Sequence, residues 1–138
     1  MIASITLRLS DPFFYGPVRS VVVPVGGQVA VENLGDAASS RVVVEMVGDV
    51  QNPQLVNSTA EPDVMVRVGS SVAVGDSVVV DVEATTVVRS SDGANLIGAL
   101  SHSGSVAWFG LQRGVNDVSL SASGGSGHAV VSWRERWF

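Results

Sequence analysis

NPQLVN (52–57), DVMVRV (63–68), VAVGDSVVVDVEATTVV (72–88), SSDGANLIGAL (90–100), VAWFGLQRGVNDVSL (106–120) and GHAVVSWRERWF (127–138) run one after another as a single pattern. Each is a short, valine-rich stretch, and Gly, Asn and Asp separate it from the next. β-Branched residues crowd a helix and suit a pleated, half-buried surface, so the pattern describes an all-β shell. Within it, strands are expected at 63–68, 77–82, 85–89, 96–100, 106–111, 117–123 and 128–137, and no window of helical length keeps a helical period.

Working back toward the N-terminus, Ile5, Leu7 and Leu9 alternate with Thr6 and Arg8 as one face of an opening strand. The run from Asp11-Pro12 to Gly16-Pro17 reads as the turn that ends it. A strand over 18–25 then meets Gly26-Gly27 and a second alternating stretch, 28–33, so that the pair reads as a hairpin or a tight corner with Val29 and Val31 inward. After a small-residue loop over 34–40 comes RVVVEMV (41–47), with Val or Met on both faces. Facing sheets cover one side of such a strand; the other side needs a loop, a flanking segment or another subunit.

Length and composition bound the rest. A chain of 138 residues fits one domain, 1–138, burying roughly two-thirds of its unfolded surface. Val occurs 29 times, hydrophobic residues make up 46% and charged residues 15%, a balance that excludes a disordered chain. Eight Arg, no Lys and thirteen acidic residues give a net charge of -5, which opposes binding to a phosphate backbone; nucleic acid is not an expected partner. Without Cys there is no disulfide or thiolate metal site. The valine runs are broken by Pro24 and Glu45 far short of a bilayer span, so no membrane partner is expected.

Several residues invite a chemical reading. Gly75-Asp76-Ser77 imitates the start of a hydrolase motif, but Val78-Val79-Val80 follows where such a motif needs a helix, and Ser77 is read as opening a strand. His102 and His128 lack a recognisable partner context and are too far apart in sequence for a zinc signature. Asp76, Asp81 and Glu83 carry oxygen ligands suited to calcium, but alternation places Asp81 and Glu83 on one strand face, where ordinary solvation explains them. Asn57-Ser58-Thr59 fits a glycosylation sequon, and the lack of Lys excludes a phosphate-binding loop. No catalytic residue, metal site or cofactor is therefore expected. The turn residues Gly75, Asp76, Gly114 and Asn116 are assigned to strand reversal, the last two in a left-handed or bulged conformation.

Aromatics divide into two sets. Trp108 and Trp133 lie within apolar strands and are expected in the core or at its corners. Phe13, Phe14 and Tyr15 in the early turn, with Trp137 and Phe138 beyond Arg134-Glu135-Arg136, are placed for contact with another chain or with each other. A chain end frays unless something holds it, so WRERWF is expected against the domain body or against a neighbour.

From about Asn33 onward the chain resembles the C-terminal domain of the distal tail proteins and related minor tail components of long-tailed siphoviruses, a galectin-like β-sandwich. The residues that carry the resemblance are Asn33, Gly35 and Asp36; Asn52-Pro53; Gly75-Asp76 with Asp81; Asp92-Gly93 with Asn95; Trp108, Leu111, Gly114 and Asn116; and Ala129, Val131 and Trp133. The resemblance implies a non-enzymatic virion structural protein of the phage tail, made in the host bacterial cytoplasm. Its partners would be other tail proteins and further copies in a symmetric assembly, with host-surface glycan contact in some relatives. Distal tail proteins also carry an N-terminal belt domain that builds a ring, whereas this sequence starts almost directly with the sandwich, so the ring role is not carried over. The expectation is a single antiparallel two-sheet sandwich, galectin-like or jelly-roll, of about ten short strands. The alternatives are a carbohydrate-binding module and a capsid decoration protein.

Overall fold

The computed structural model describes residues 14–35, 40–59, 64–102 and 110–137. Two five-stranded antiparallel sheets face each other. Sheet A runs in the order β1 (Phe14–Pro24), β13 (His128–Trp137), β3 (Ser40–Val47), β8 (Ser77–Asp81) and β9 (Thr86–Arg89). Sheet B runs β10 (Leu100–His102), β6 (Val64–Val68), β5 (Gln54–Asn57), β11 (Gly114–Ser121) and β2 (Gln28–Asn33). The two-residue strands β4 (Val50–Gln51), β7 (Ser71–Val72) and β12 (Gly124–Gly125) add a small third sheet in the order β12-β4-β7.

Alternation puts one side of every long strand into the core. On sheet A the inward row Val131, Val44, Val80 and Val87 crosses four strands in register, each residue fully buried. Sheet B answers with Val31, Leu55, Val66, Val68, Val118 and Leu120. Two opposed sheets with interdigitating inner rows form the expected sandwich. Burying a side chain of this kind stabilises the fold by about 1.5–3 kcal/mol relative to leaving it in water.

Residues 24–27 make a corner between sheets and not a hairpin. β1 pairs with β13 while β2 pairs with β11, so the chain changes sheets here. Gly26 takes φ 78°, a conformation without steric cost only for glycine, and its amide donates to the Leu120 carbonyl at 2.8 Å. Of the two inward valines, Val31 is buried and Val29 packs half-buried against the core.

Four local expectations change. The turn expected through Gly16-Pro17 is already strand: β1 starts at Phe14 and absorbs the dipeptide as a register shift between Tyr15 and Val18. Among the described strands β1 lies at the edge of sheet A, the position in a sheet where a proline is tolerated. The strand expected over 96–100 is instead a single 3-10 turn, Ile97–Ala99, before β10. There Asn95 Oδ1 accepts the Ile97 amide at 3.0 Å, a side-chain turn that competes with extended pairing. The expected strand at 106–111 falls largely outside the described residues, and Gly110 and Leu111 are not extended in a ladder. β11 begins three residues earlier than expected, at Gly114. The opening strand over 1–10 and Trp108 lie outside the described residues.

Candidate docking face

A strand in a sandwich has one buried side, so function falls to the other side, the edges and the loops. Register turns the outward residues of sheet A into rows. One row is Val22, Val130, Glu45, Val79 and Val88, one residue from each of the five strands. Beside it run Ser20, Ser132, Val43, Asp81 and Thr86. On the other flank, Pro24, His128 and Val47 precede Ser77. Val22 is 54% exposed and Val18, farther along β1, is 67% exposed, while Val43, Val47, Val79 and Val130 are half-buried by their neighbours.

Sheet B differs. Its outward residues are Ser101, Arg67, Gln54 and Ser121 in one row, Met65, Val56, Ser119 and Gln28 in the next, then Asp117 beside Ala30 and Val115 beside Glu32. That face is mostly polar. The two sheets thus bury equivalent inner sides and present unlike outer ones: sheet A carries outward valines at 18, 22, 43, 47, 79, 88 and 130, interspersed with Glu45, Asp81, His128 and the hydroxyls of Ser20, Ser132 and Thr86. A concentration of outward valines on one face makes it the candidate contact surface.

The loops that frame the sheets are held by buried amides. Asn116 is fully buried in β11; its Nδ2 donates to the carbonyls of Gln112 (2.8 Å), Gly114 (3.0 Å) and Val31 (3.3 Å). Its Oδ1 accepts the Gln112 amide at 2.8 Å and Asn57 Nδ2 at 3.0 Å. Asn57 in turn donates to the Gly110 carbonyl at 2.8 Å, and Asn33 donates to that of Leu111 at 3.3 Å. Three buried asparagines therefore fasten residues 110–114 onto sheet B. Of the two residues expected to be left-handed here, only Gly114 is, with φ 91°. Asn116 acts through its side chain instead.

Asp76 ties two turns together. Its Oδ1 accepts the amides of Ser77 (2.8 Å) and Ser91 (3.1 Å), and its Oδ2 accepts the Ser91 hydroxyl at 2.9 Å. The Ser77 amide first, and then the Ser91 hydroxyl, hold the carboxyl below its ordinary value of 3.8. Preceding it, Gly75 sits at φ 82°. The dipeptide leads from the small sheet into β8, and so does not reverse two paired strands as its sequence suggested. Asp92 is likewise held low, by the Ala94 amide and then by Arg89, whose Nη1 lies 3.1 Å from Oδ2. The Ser77 hydroxyl is engaged with that of Ser90 at 2.8 Å. No group of three metal-ligating side chains forms among the described residues, and none of their helices is long and apolar enough to cross a membrane.

Trp133 is buried at 4% exposure, as its apolar strand implied. It backs a groove of about 320 Å3 between β1 and β2, also lined by Arg19, Val21, Glu32 and Leu34, and its buried indole Nε1 has no hydrogen-bond partner among the described residues. The five aromatics proposed for contact are only partly described. Phe14 stands opposite Trp137 in the β1–β13 ladder and Tyr15 opposite Arg136, which brings the backbones of the two clusters to one end of sheet A. Phe13 and Phe138 lie outside the described residues. What sequence reading missed is the outward valine field as a whole. RVVVEMV signalled one strand of it, and the other four needed the register.

Comparison with known proteins agrees with this architecture. The chain resembles the crystal structure of the SPP1 Dit protein, described as a paradigm of the hub adsorption apparatus in phages infecting Gram-positive hosts. The TM-score is 0.68 at 18% identity, over 94% of this chain and 50% of that one. This chain thus spans about half the length of that protein. No curated protein sequence matches it. Residues 34–137 match the family described as the siphovirus-type tail component, C-terminal domain. That match takes in most of the sandwich, including the three buried asparagines bar Asn33, and the chain belongs to the siphovirus-type tail component family.

Proposed function

We propose that this domain is a rigid docking module of the phage tail, acting through protein contacts and carrying out no bond-breaking chemistry. Its sheets hold the outward valines of sheet A in one fixed plane, and a neighbouring tail protein covers them. The single observation that carries the reading is the difference between the two outer faces, richer in valine on sheet A and mostly polar on sheet B. The tail assignment of the family supports a virion location, with synthesis in the host bacterial cytoplasm. SPP1 Dit is described as part of an adsorption apparatus, and by analogy this domain helps to build the structure that meets the host surface.

The mechanism is preorganisation. A face already ordered by five hydrogen-bonded strands loses little conformational freedom when a partner arrives, so buried apolar area converts to affinity with small offset. Val79→Lys places an ammonium in the middle of the valine field, and Ala30→Lys places one on the outer side of sheet B. The expected result is that Val79→Lys lowers incorporation of the folded protein into particles and Ala30→Lys leaves it unchanged. Equal incorporation of both variants would remove the face from the mechanism.

A further inference from the structure

Asp92-Gly93 is the one Asp-Gly or Asn-Gly dipeptide in the sequence, and such a pair can react with itself. The nitrogen of the second residue attacks Cγ of the first: an N–C bond forms, the amide proton and a carboxyl oxygen leave as water, and a succinimide ring results. Water then reopens the ring at either of its carbonyls. One product is the original aspartate; the other is isoaspartate, in which the main chain runs through Cβ and is longer by a methylene. The sequence of steps needs no oxidant and no co-reactant but water. A side chain on the second residue would shield the nitrogen, and glycine has none. Both residues are exposed, and nothing stands within 4 Å of the place where a Cβ on Gly93 would lie. The next dipeptide of this kind, Asn57-Ser58, is closed by the fold: Asn57 is fully buried, and the Ser58 amide donates to the Asp117 carbonyl at 3.0 Å.

The folded turn engages every atom that the ring closure uses. Residues 90–93 form the loop of a reversal closed by the Arg89 amide on the Ala94 carbonyl at 2.9 Å. Inside it the attacking group, the Gly93 amide, donates to the Arg89 carbonyl at 2.8 Å. On the carboxyl, Oδ1 accepts the Ala94 amide at 3.0 Å and Oδ2 accepts Arg89 Nη1 at 3.1 Å. The Ala94 amide and then Arg89 also hold this carboxyl below its ordinary 3.8, so less of it carries the proton with which its oxygen must leave. Arg89 thus touches both halves of the reaction, the nitrogen through its carbonyl and the carboxyl through its guanidinium.

We infer that Asp92-Gly93 is the site of isoaspartate formation in this chain and that Arg89 is the positioning residue that restrains it. The consequence reaches sheet A. Ser91, the neighbour of Asp92, gives its amide and its hydroxyl to Asp76 at the head of β8. A main chain lengthened at position 92 draws Ser91 out of that arrangement and loosens the β8–β9 edge of the sheet. Exposed turns open more readily than core strands, so this is where slow chemical change enters a protein held for long periods in a particle.

The purified chain is incubated near neutral pH and digested, and peptides with aspartate or isoaspartate at position 92 are separated and quantified by mass spectrometry. Arg89→Gln, shown to be folded by circular dichroism, should accumulate isoaspartate about two- to fivefold faster than the wild type, the range that an exposed ion pair controls. Added salt screens that pair, so it should speed the wild type toward the variant and leave the variant unchanged. Wild type unfolded in urea should react faster than either folded protein. Should Arg89→Gln fail to fold, the salt response of the wild type and its comparison with the unfolded chain carry the test. A folded wild type that reacts as fast as the unfolded chain overturns the inference. So do a folded variant no faster than the wild type, a salt response equal in both, or isoaspartate that gathers elsewhere in the chain before position 92.

Discussion

Asn116 shows how much of this fold hangs on single polar side chains. It is wholly buried and serves five hydrogen bonds with one amide, so removing it takes the partner from the part-buried Gln112 amide and the Gln112 and Gly114 carbonyls and from the buried Asn57 Nδ2 and Val31 carbonyl. Each orphaned buried group costs about 1–3 kcal/mol. Asn116→Ala and the similarly sized Asn116→Leu should therefore each lower the unfolding free energy in urea by about 3 kcal/mol. A Leu variant as stable as the wild type would mean that volume, not the amide, is what matters. Asp76 works at the surface and gives a pH signature. Its carboxyl is held below 3.8 in the folded chain by the Ser77 amide and then the Ser91 hydroxyl, so its contribution is complete above 3.8. That contribution is lost only as pH falls below 3.8 through the lower folded value. Hydrogen exchange at the Ser91 amide should accelerate in that acid window, and Asp76→Asn should remove the pH dependence. Loosening that begins near neutral pH would contradict this assignment.

At the scale of the strand, neighbouring residues have opposite duties. Val80 in β8 is fully buried and Val79, one residue before it, faces out. Val80→Lys places an unpaired charge in the core and should prevent folding, whereas Val79→Lys should change stability by less than about 1 kcal/mol. Thermal unfolding of the two variants separates them; similar melting temperatures would mean the rows are assigned to the wrong sides. This alternation is also why β2 and β13 were legible in sequence to the residue: both alternate cleanly, and Gly-containing turns bound their starts. The misreadings have physical causes too. Gly16-Pro17 looks like a turn because proline cannot join a central ladder, but among the described strands β1 lies at the edge of its sheet, where a proline is tolerated. Asn95 turned an apolar stretch into a 3-10 turn through one side-chain bond. The two-residue strands β4, β7 and β12 exist only because distant segments meet, and no local pattern announces them.

Across the whole molecule, the asymmetry of the two outer faces is the property that sequence alone could not disclose. A valine at 22, 43, 79, 88 or 130 is unremarked by itself, and the field appears only when five strands from both ends of the chain fall into register. The family resemblance, by contrast, was legible because it rests on turn glycines such as Gly75 and Gly114 and on the buried Asn33 and Asn116, which the local fold itself requires. The account stands or falls on which face is covered in the particle. A photo-crosslinking residue installed at Val79, on the outer side of sheet A, or at Ala30, on the outer side of sheet B, reports that directly in assembled tails. The account predicts a protein–protein crosslink from position 79 and none from position 30; crosslinks from position 30 with position 79 silent would contradict it.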